Sequence, residues 1–307
     1  MDHSLSLSRR FFKGHGHGND YLVFEEGCGW PALSETVEAV CDRWRGPGGD
    51  GIVALLAGDG PFGRRKGDDP FRLRMFNPDG SEFERSGNGL RVLGVYLYSR
   101  GWVRKGLPFP VEVGGDRVEM EILGRVGDNL VDVAVEMGTV RFGLEAVGGV
   151  EGGLREGRFL EGPSGGELDI QPVSVGNPHC VCFRDTLSED DLLALGPFLT
   201  GHPLFPQGTN VQLARVAEKG QVEMLIWERG VGRTSSSGTS ACAVAAACVQ
   251  RGKMSPGKIR VQMEGGDFFV TVAEGNTVRL EGPVQSVMEG ELTPEMQKLL
   301  LQNQGSE

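Results

Sequence analysis

The chain carries one pattern twice, as R-S-G-N-G-L-R-V-L-G-V-Y-L-Y-S at residues 85–99 and as S-S-G-T-S-A-C-A-V-A-A-A-C-V-Q at residues 236–250. In both stretches Ser-Gly is followed by Asn or Thr and a small residue, and the rest is apolar on nearly every side. A helix that is apolar all round must be buried, so the pattern predicts buried helices over 89–99 and 240–250. The two serines, Ser86 and Ser237, are about half the chain apart, which indicates an internal repeat.

Strand-like segments dominate the rest of the chain. Apolar–polar alternation and short apolar runs predict strands at 11–12, 21–24, 51–57, 71–76, 111–122, 130–137, 172–183, 211–216, 221–227, 259–263, 268–272 and 278–280. Further helices are expected at 34–44 with Ser34 as the N-cap, at 188–195 begun by Ser188, and at 294–302.

The expected fold is α+β, with two pseudo-symmetric domains. Each domain is expected to be a curved, mixed or antiparallel, barrel-like β-sheet around one central buried helix. We expect residues 1–138 with 283–307 to form the N-terminal domain and residues 139–282 the C-terminal domain.

The composition argues against several classes of protein. The 307 residues include 31 Lys+Arg and 42 Asp+Glu, a net charge of −11, whereas nucleic-acid binding needs clustered cations for phosphate contacts. The one compact basic run, Arg64-Arg65-Lys66, is followed by acidic residues and is expected to be a solvated loop. No apolar run approaches the roughly 20 residues of a membrane helix, and no signal peptide is apparent. We therefore expect a cytoplasmic protein whose six cysteines are free thiols.

Glycine is unusually abundant, with 49 residues against an average of about 7 %. The glycines beside Ser86 and Ser237 would let a ligand approach the backbone closely. A helix N-terminus presents free N–H groups and about half a positive charge, so two of them facing each other across a cleft would bind a carboxylate. The two small side chains would then flank the anion, which suits removal of a proton from one face of a carbon and delivery to the other.

Several longer motifs resemble the diaminopimelate epimerase family, in the family's order and from about Phe11 to Leu292. They are K-G-H-G-H-G-N-D-Y (13–21), R-G-P-G-G-D-G (45–51), F-N-P-D-G-S-E-F-E-R-S-G-N-G-L-R (76–91), V-S-V-G-N-P-H-C-V (173–181), G-T-N-V-Q-L (208–213) and W-E-R-G-V-G-R-T-S-S-S-G-T-S-A-C-A (227–243). The resemblance implies an isomerase without metal or pyridoxal phosphate. It would interconvert LL- and meso-2,6-diaminopimelate by two-base proton transfer at the α-carbon, in lysine and peptidoglycan biosynthesis. Family members are often dimers, so a homodimer is among the expectations, although the sequence identifies no interface.

The resemblance also implies binding roles, residue by residue. The distal carboxylate of the substrate would be bound by Asn77, Asn177, Asn210 and Arg229. Backbone N–H groups at Gly87-Asn88 and Gly238-Thr239 would hold the α-carboxylate, Glu228 would accept from the α-ammonium group, and Asn19 would close over the substrate. His179 and Glu228 resemble the family residues beside the catalytic pair and could polarise Ser86 or Ser237.

The chain departs from the family at both catalytic positions. The family uses one thiolate and one thiol at the starts of the two central helices, where this chain has Ser86 and Ser237. A thiol has a pKa near 8.5, which a helix N-terminus lowers further, whereas a serine hydroxyl is essentially never ionised without a strong adjacent base. Cys242 resembles a non-catalytic cysteine of the family and does not replace the missing acid and base.

The two serines leave three interpretations open. The chain could be an engineered Cys→Ser form of an active enzyme, or a natural serine variant that isomerises another amino-acid-like or dicarboxylate substrate. It could also be a ligand-binding homologue that has lost the chemistry. Arg85 and the run Ser235-Ser236-Ser237 differ from the usual cysteine motifs, which argues weakly against simple engineering. In each case the expected partner is a small amino-acid-like dicarboxylate, not a nucleic acid or a membrane.

Three other motifs have simpler structural explanations. His15-x-His17 lacks further ligands with the spacing of a metal site. His179-Cys180-x-Cys182 hints at zinc, but strand alternation would place both cysteines on one buried face. Gly46-x-Gly48-x-x-Gly51 follows a predicted helix and precedes a predicted strand, the reverse of a dinucleotide-binding motif. We therefore predict neither a metal nor a cofactor.

Overall fold

The computed structural model describes residues 5–58, 69–83, 85–126, 129–150, 152–218 and 220–302. The predicted solvated loop Arg64-Arg65-Lys66 lies outside these ranges. The chain divides into two compact units, Met1–Val135 with Gly282–Glu307 (unit 1) and Glu136–Glu281 (unit 2). Among the described helices, none combines the length and the apolar character that a membrane span requires.

Strands make up most of the regular structure, which confirms the α+β class. The strands are β1 (Ser6–Gly16), β2 (Asn19–Glu26), β3 (Trp30–Pro31), β4 (Ile52–Leu55), β5 (Phe71–Phe76), β6 (Glu82–Phe83), β7 (Phe109–Val113), β8 (Asp116–Val126), β9 (Leu130–Thr139), β10 (Arg141–Phe142), β11 (Phe159–Glu161), β12 (Glu167–Ser174), β13 (Pro178–Phe183), β14 (Asn210–Glu218), β15 (Gln221–Glu228), β16 (Gly232–Thr234), β17 (Gly257–Met263), β18 (Gly266–Val272) and β19 (Thr277–Glu291). The helices are α1 (Ser34–Cys41), α2 (Gly87–Ser99), α3 (Glu189–Thr200), α4 (Gly238–Gln250) and α5 (Pro294–Gln302), with one 3-10 turn at Glu145–Val147.

Unit 1 folds its strands around α2. β1 pairs antiparallel with β2, β2 runs parallel to β4, β4 pairs antiparallel with β5, and β5 runs parallel to β7. β8 pairs antiparallel with β7, and β19 pairs antiparallel with β1. α2 packs against β1, β2, β4 and β8, and its residues from Gly87 to Leu97 are all buried. A helix with apolar residues on nearly every side is therefore buried on every side, as the sequence predicts.

Unit 2 uses the same order of pairings around α4. β12 pairs antiparallel with β13, β13 runs parallel to β14, β14 pairs antiparallel with β15, and β15 runs parallel to β17. β17 then pairs antiparallel with β18, and α4 packs against β12 to β15, β17 and β18. α3 covers β14 and β15. A symmetric arrangement of the two units stays a prediction, as do the domain boundaries drawn from the sequence.

The two central helices begin two residues earlier than predicted. α2 begins at Gly87 and α4 at Gly238, and the residues before them, Ser86 and Ser237, are N-caps with extended backbone (φ −125°, ψ 124° and φ −153°, ψ 121°). The first helical turn makes few intrahelical N–H bonds, so poor helix formers such as Gly cost little there. The serines therefore lie next to the helix N–H groups that have no intrahelical partner.

Helix α1 differs from its predicted limits at both ends. Its N-cap is Leu33, so the assignment of Ser34 as the cap is wrong, and the hydroxyl of Thr36 takes the Leu33 N–H at 2.9 Å instead. The helix ends at Cys41 because Asp42 leaves the helical region (φ −60°, ψ 121°). The Asp42 carboxylate accepts two backbone N–H groups of the turn that follows, which stabilises the turn against further helix.

The limits of α3 were predicted correctly only at its start. Ser188 is the N-cap and its hydroxyl accepts from the Asp191 N–H at 3.1 Å, as expected. The helix continues to Thr200 through Pro197, beyond the predicted end at 195. Burial of Leu199 in the core of unit 2 favours the last turn despite the proline. α5 has the limits predicted from the sequence.

Candidate active site

Ser86 caps the N-terminus of α2. Its Oγ accepts a hydrogen bond from the Gly89 N–H at 3.1 Å, and its own N–H donates to the sulfur of Met75, on β5, at 3.3 Å. A serine at this position normally satisfies one of the unpaired N–H groups of the helix. The cap uses the hydroxyl oxygen as an acceptor only. The O–H group of Ser86 can therefore still donate a hydrogen bond to a ligand.

A chain of hydrogen bonds fixes the side chains next to this cap. Asn88, in the first turn of α2, donates through Nδ2 to Asn19 Oδ1 at 2.7 Å, and Asn19 donates through Nδ2 to Asp50 Oδ2 at 2.9 Å. The fully buried Arg91 donates to Asn88 Oδ1, and Arg43 donates to Asp50 Oδ1 at 2.7 Å. The structure thus brings together Asn19 and Asn88, both predicted as substrate-binding residues, and a charged group at each end of the chain sets the orientation of their amides.

Asp20 anchors the same network to β2. Its carboxylate is within 2.7 Å of Arg43 and 3.0 Å of Lys13. Burial alone would raise the pKa of Asp20, but the hydrogen bonds from Arg43 and Lys13 outweigh it and lower the pKa to about 2. Burial, followed by the neighbouring Asp20, raises the pKa of Asp50. The carboxylates of Asp20 and Asp50 are paired with Lys13 and Arg43, and the N–H groups at the start of α2 are a further feature of this region that attracts an anion.

Asn77 lies directly after β5, whose Met75 contacts Ser86. Its Nδ2 donates to Ser81 Oγ at 2.9 Å, and its backbone N–H donates to the Ser81 carbonyl at 2.9 Å. This turn places Asn77 and Ser86 at the same end of β5. Unit 1 therefore gathers five of the predicted site residues in one region: Asn19, Asn77, Ser86, Gly87 and Asn88.

The N-terminus of α4 differs from that of α2 in one respect. Ser237 is the N-cap, but its side chain makes no capping hydrogen bond with the helix. Gly238 and Thr239 form the first turn, where N–H groups lack intrahelical partners. Ser237 is 9 % exposed, and its hydroxyl caps none of these N–H groups.

His179, one of the predicted catalytic residues, is fully buried on β13. Its Nε2 lies 2.9 Å from Asn177 Oδ1 and its Nδ1 lies 3.1 Å from Gln212 Nε2. Burial, with a smaller contribution from the positive charge of Arg229, lowers the pKa of His179 to about 3. The imidazole is therefore neutral at physiological pH and contacts the site through Asn177. A catalytic role for His179 stays a prediction.

Asn210 links the two remaining predicted ligands of a distal carboxylate. Its Nδ2 donates to the Pro178 carbonyl, next to Asn177, at 3.0 Å, and its Oδ1 accepts from the Arg229 N–H at 3.0 Å. The guanidinium of Arg229 donates through Nη1 to the Gln207 carbonyl at 2.9 Å and is exposed to solvent. The structure thus brings together Asn177, Asn210 and Arg229 in unit 2.

Glu228 ends β15 in the hairpin that leads to Ser237. Its Oε1 accepts from the hydroxyl of Thr234 at 3.1 Å, across the pairing of β15 with β16. Thr234 lies three residues before Ser237, so the same short strand sets the position of both Glu228 and the helix cap. Unit 2 therefore supplies Asn177, His179, Asn210, Glu228, Arg229, Ser237, Gly238 and Thr239.

The difference between the two caps predicts a difference in stability. Ser86→Ala should lower the free energy of unfolding by about 1 kcal/mol because it removes a capping hydrogen bond, whereas Ser237→Ala should cost less than half as much. Urea unfolding followed by circular dichroism measures both. Ser188→Ala removes a comparable cap from α3 and should match Ser86→Ala. An equal loss at Ser237 would show that its hydroxyl also caps the helix in solution.

The cysteines of the described chain are free thiols, and all but Cys28 are buried. Cys180 and Cys182 both lie in the core of unit 2, as the alternation of β13 predicts. Burial raises the pKa of the Cys41 and Cys248 thiols to about 12. In the described ranges no three His, Cys, Asp or Glu side chains are grouped as metal ligands. The Gly46-x-Gly48-x-x-Gly51 motif lies between α1 and β4, the order that argues against a dinucleotide site.

Sequence reasoning missed several residues that hold the predicted ligands in place. Asp50 and Arg43 orient Asn19, Arg91 orients Asn88, and Gln212 contacts His179. Asp50 and Gln212 do lie inside quoted motifs, R-G-P-G-G-D-G and G-T-N-V-Q-L. Gln212 is the polar residue in the short run V-Q-L-A of residues 211–214, a pattern that could have singled it out.

The architecture recurs in proteins of known structure. A hydroxyproline epimerase from Agrobacterium vitis, solved with trans-4-hydroxy-L-proline, superposes with a TM-score of 0.63 at 16 % identity, over 94 % of this chain and 94 % of that one. A phenazine biosynthesis protein of the PhzF family from Bacillus anthracis gives a TM-score of 0.63 at 14 % identity, over 92 % and 98 % of the two chains. At these identities the likeness shows the fold alone. The hydroxyproline epimerase is one protein that has this fold.

The sequence comparisons identify the family of the chain. The model of the diaminopimelate epimerase family matches residues 11–143 and 172–291. Diaminopimelate epimerase 2 of Nostoc sp. strain PCC 7120 is 37 % identical over 291 residues, 94 % of this chain and 96 % of that protein. The diaminopimelate epimerase of Desulfitobacterium hafniense is 36 % identical over 285 residues, 91 % and 96 % of the two chains. The chain belongs to the diaminopimelate epimerase family, a family of isomerases.

Proposed function

We propose that the chain acts in the cytoplasm as a cofactor-independent epimerase of amino-acid-like dicarboxylates, and that its substrate pair is LL- and meso-2,6-diaminopimelate. The observation that carries the proposal is the placement of Ser86 and Ser237. Each is the N-cap of a buried central helix and lies in a segment that matches the family model. In this proposal the two serines act on one α-carbon, one taking its proton and the other returning one from the opposite face.

The helix N-termini supply the electrostatics for such a reaction. The first-turn N–H groups at Gly87-Asn88 and Gly238-Thr239 are suited to the α-carboxylate. Hydrogen bonds and dipoles that are fixed before the reaction stabilise charge that develops as the α-proton leaves. Glu228, which Thr234 holds at 3.1 Å, is the acceptor proposed for the α-ammonium group.

The residues predicted to bind the distal carboxylate are the reason why a dicarboxylate is proposed. Asn177, Asn210 and Arg229 are gathered in unit 2, and they combine amide donors with a guanidinium that binds a carboxylate through two parallel hydrogen bonds. A simple amino acid has no second carboxylate and would forgo the charge-assisted hydrogen bonds that these donors can make. Asn77 is proposed as a further donor from unit 1.

The serines themselves favour a second candidate function. A serine hydroxyl is a far weaker acid than a thiol, and that of Ser86 is engaged as a helix cap. A homologue that binds the dicarboxylate without isomerising it would need Asn177, Asn210 and Arg229. It would not need thiols at the positions of Ser86 and Ser237. An isomerase of a substrate with a more acidic α-proton is the intermediate case.

Deuterium exchange separates these functions. Incubation with LL-diaminopimelate in deuterated water should place deuterium at the α-carbon, detected by mass spectrometry, if the chain is an epimerase. The Ser86→Ala, Ser237→Ala double variant should abolish the exchange while ligand binding, measured by calorimetry, persists. Binding without exchange in the unaltered chain would establish the binding homologue. If the unaltered chain neither binds LL-diaminopimelate nor exchanges its α-proton, the choice of diaminopimelate is wrong.

A further inference from the structure

A fully buried glutamine joins the start of α4 to the Asn177 turn. Gln212, on β14, donates through Nε2 to His179 Nδ1 at 3.1 Å and to Ser240 Oγ at 3.0 Å. Ser240 lies in the first turn of α4, and His179 Nε2 is 2.9 Å from Asn177 Oδ1. Gln212, His179 and Ser240 are each 0 % exposed, so bulk water does not reach the contacts that Gln212 makes.

The donor and acceptor roles along this chain follow from the chemistry of the amide. The Nε2 group of glutamine can only donate, so His179 Nδ1 must accept and the ring proton must be on Nε2. His179 Nε2 then donates to Asn177 Oδ1. In the present orientation one atom of the amide, Gln212 Oε1, is buried without a hydrogen-bond partner. If the amide were turned over, its NH₂ group would occupy that place, and two N–H donors would lack partners instead. Since two buried unpaired donors cost more than one unpaired acceptor, the orientation with Nε2 as donor is favoured.

We propose that Gln212 is a positioning residue: it fixes His179 as the Nε2–H tautomer, and His179 in turn holds the Asn177 side chain with its oxygen inward and its N–H groups toward the ligand. The inference rests on the proposed function, in which Asn177 binds the distal carboxylate. An Asn177 amide turned the other way would present its oxygen to an anion and repel it. Because Gln212 also holds Ser240, the same side chain aligns this donor with the N-terminus of α4.

The surroundings of His179 keep the ring neutral. Burial, with a smaller contribution from the Arg229 guanidinium and against the opposing hydrogen bond from Gln212, lowers its pKa to about 3. Arg229, directly after β15, is the charged group that acts on the ring. This chain of hydrogen bonds from Gln212 through His179 to Asn177, the relay, needs a neutral ring. An imidazolium would donate from both nitrogens and would no longer accept from Gln212.

Nitrogen-15 spectra of the full chain labelled at histidine test the relay without any ligand. His179, assigned through the signals lost in His179→Phe, should carry its proton on Nε2 and should not titrate between about pH 5 and 8. An ionised glutamate can only accept, so once the new carboxyl group of Gln212→Glu is ionised the ring should be protonated at Nδ1 and should titrate in that range. Protonation at Nδ1 in the unaltered chain, or an unchanged ring spectrum in Gln212→Glu with an ionised carboxylate, would overturn the proposal.

Calorimetry with LL-diaminopimelate tests the consequence for binding. Gln212→Met, which keeps the length of the side chain and removes its hydrogen bonds, should weaken binding about tenfold. Asn177→Ala should do the same, and the double variant should be no weaker than Asn177→Ala alone. Additive losses would show that Gln212 does not act through Asn177.

A glutamine elsewhere in unit 2 provides the matched control. Gln221 donates to Gln262 at 2.9 Å on the paired strands β15 and β17, so Gln221→Met should leave both the His179 spectrum and the affinity unchanged. If the spectra behave as expected but the unaltered chain binds no diaminopimelate, the relay stands and the proposed function fails. The two failures are therefore distinguishable.

Discussion

A double replacement, Ser86→Cys with Ser237→Cys, should raise the rate of α-proton exchange on LL-diaminopimelate by about three orders of magnitude or more. A thiol at a helix N-terminus is ionised to a useful extent at neutral pH, whereas a serine hydroxyl is not. Both residues are N-caps beside first-turn N–H groups, the position at which the helix dipole most favours an anion. The rate of deuterium incorporation and the appearance of the meso form measure the effect.

Single replacements show whether both positions take part. Each variant with one cysteine keeps one effective acid or base, so each should exchange the α-proton faster than the unaltered chain yet invert the carbon far more slowly than the double variant. Cys242→Ser in the double-cysteine background is the control for native thiols, because Cys242 is fully buried within α4, and it should leave the rate unchanged. A folded double variant without activity on either isomer would show that the diaminopimelate assignment is wrong.

The elements that local patterns specify were predicted well. β5 has the predicted limits because F-R-L-R-M alternates over residues 71–75 and the strand ends just before Asn-Pro. The central helices were recognised because no polar face interrupts them. Their first turns were not, because Gly-Asn and Gly-Thr have low helix propensity. The Ser86 cap of α2 and the burial of both helix starts overcome that preference.

Two predicted strands are hairpins in the structure. The run 111–122 turns back at Gly114 and Gly115 (φ 59° and 83°), and the run 172–183 turns at Gly176 (φ 94°). Positive φ at these positions is a backbone conformation that glycine adopts without strain. Periodicity of two continues through such turns, so the apolar pattern alone cannot show where the chain reverses.

The longest strand was predicted only in part. β19 covers 15 residues, although only 278–280 were expected. Its first part pairs with β18 and its last part with β1, so the partner changes where Gly282 and Pro283 interrupt the apolar pattern. Long-range pairing of this kind depends on strands that are far away in the chain, and no local signal predicts it.

The site was predicted as a set of ligands but not as a network. Motifs identified Asn19, Asn88, Asn177 and Arg229, whose resemblance to the family can be seen in the sequence alone. The partner of Asn88 is 69 residues away and that of His179 is 33 residues away. Contacts of this length depend on which strands are neighbours, and that is known only once the sheet is built.

Arg229→Ala should weaken the binding of LL-diaminopimelate by about 100-fold, and that of L-lysine by no more than about threefold. L-lysine has the same carbon skeleton without the distal carboxylate. The Gln207 carbonyl takes one edge of the guanidinium at 2.9 Å, which leaves other donors of the planar group for a carboxylate. A charged hydrogen-bonded pair of this kind contributes about 1.5–3 kcal/mol. Calorimetric titration with the two ligands measures the ratio.

Two further variants separate charge from geometry. Arg229→Lys keeps the charge but loses the paired donors, so it should recover only part of the affinity for diaminopimelate. Arg233→Ala removes another exposed arginine of unit 2, one that pairs with Glu189 and Glu264, and should leave both affinities unchanged. If Arg229→Ala weakened the two ligands equally, Arg229 would not bind the distal carboxylate. The preference for a dicarboxylate would then have to come from the amides of Asn77, Asn177 and Asn210.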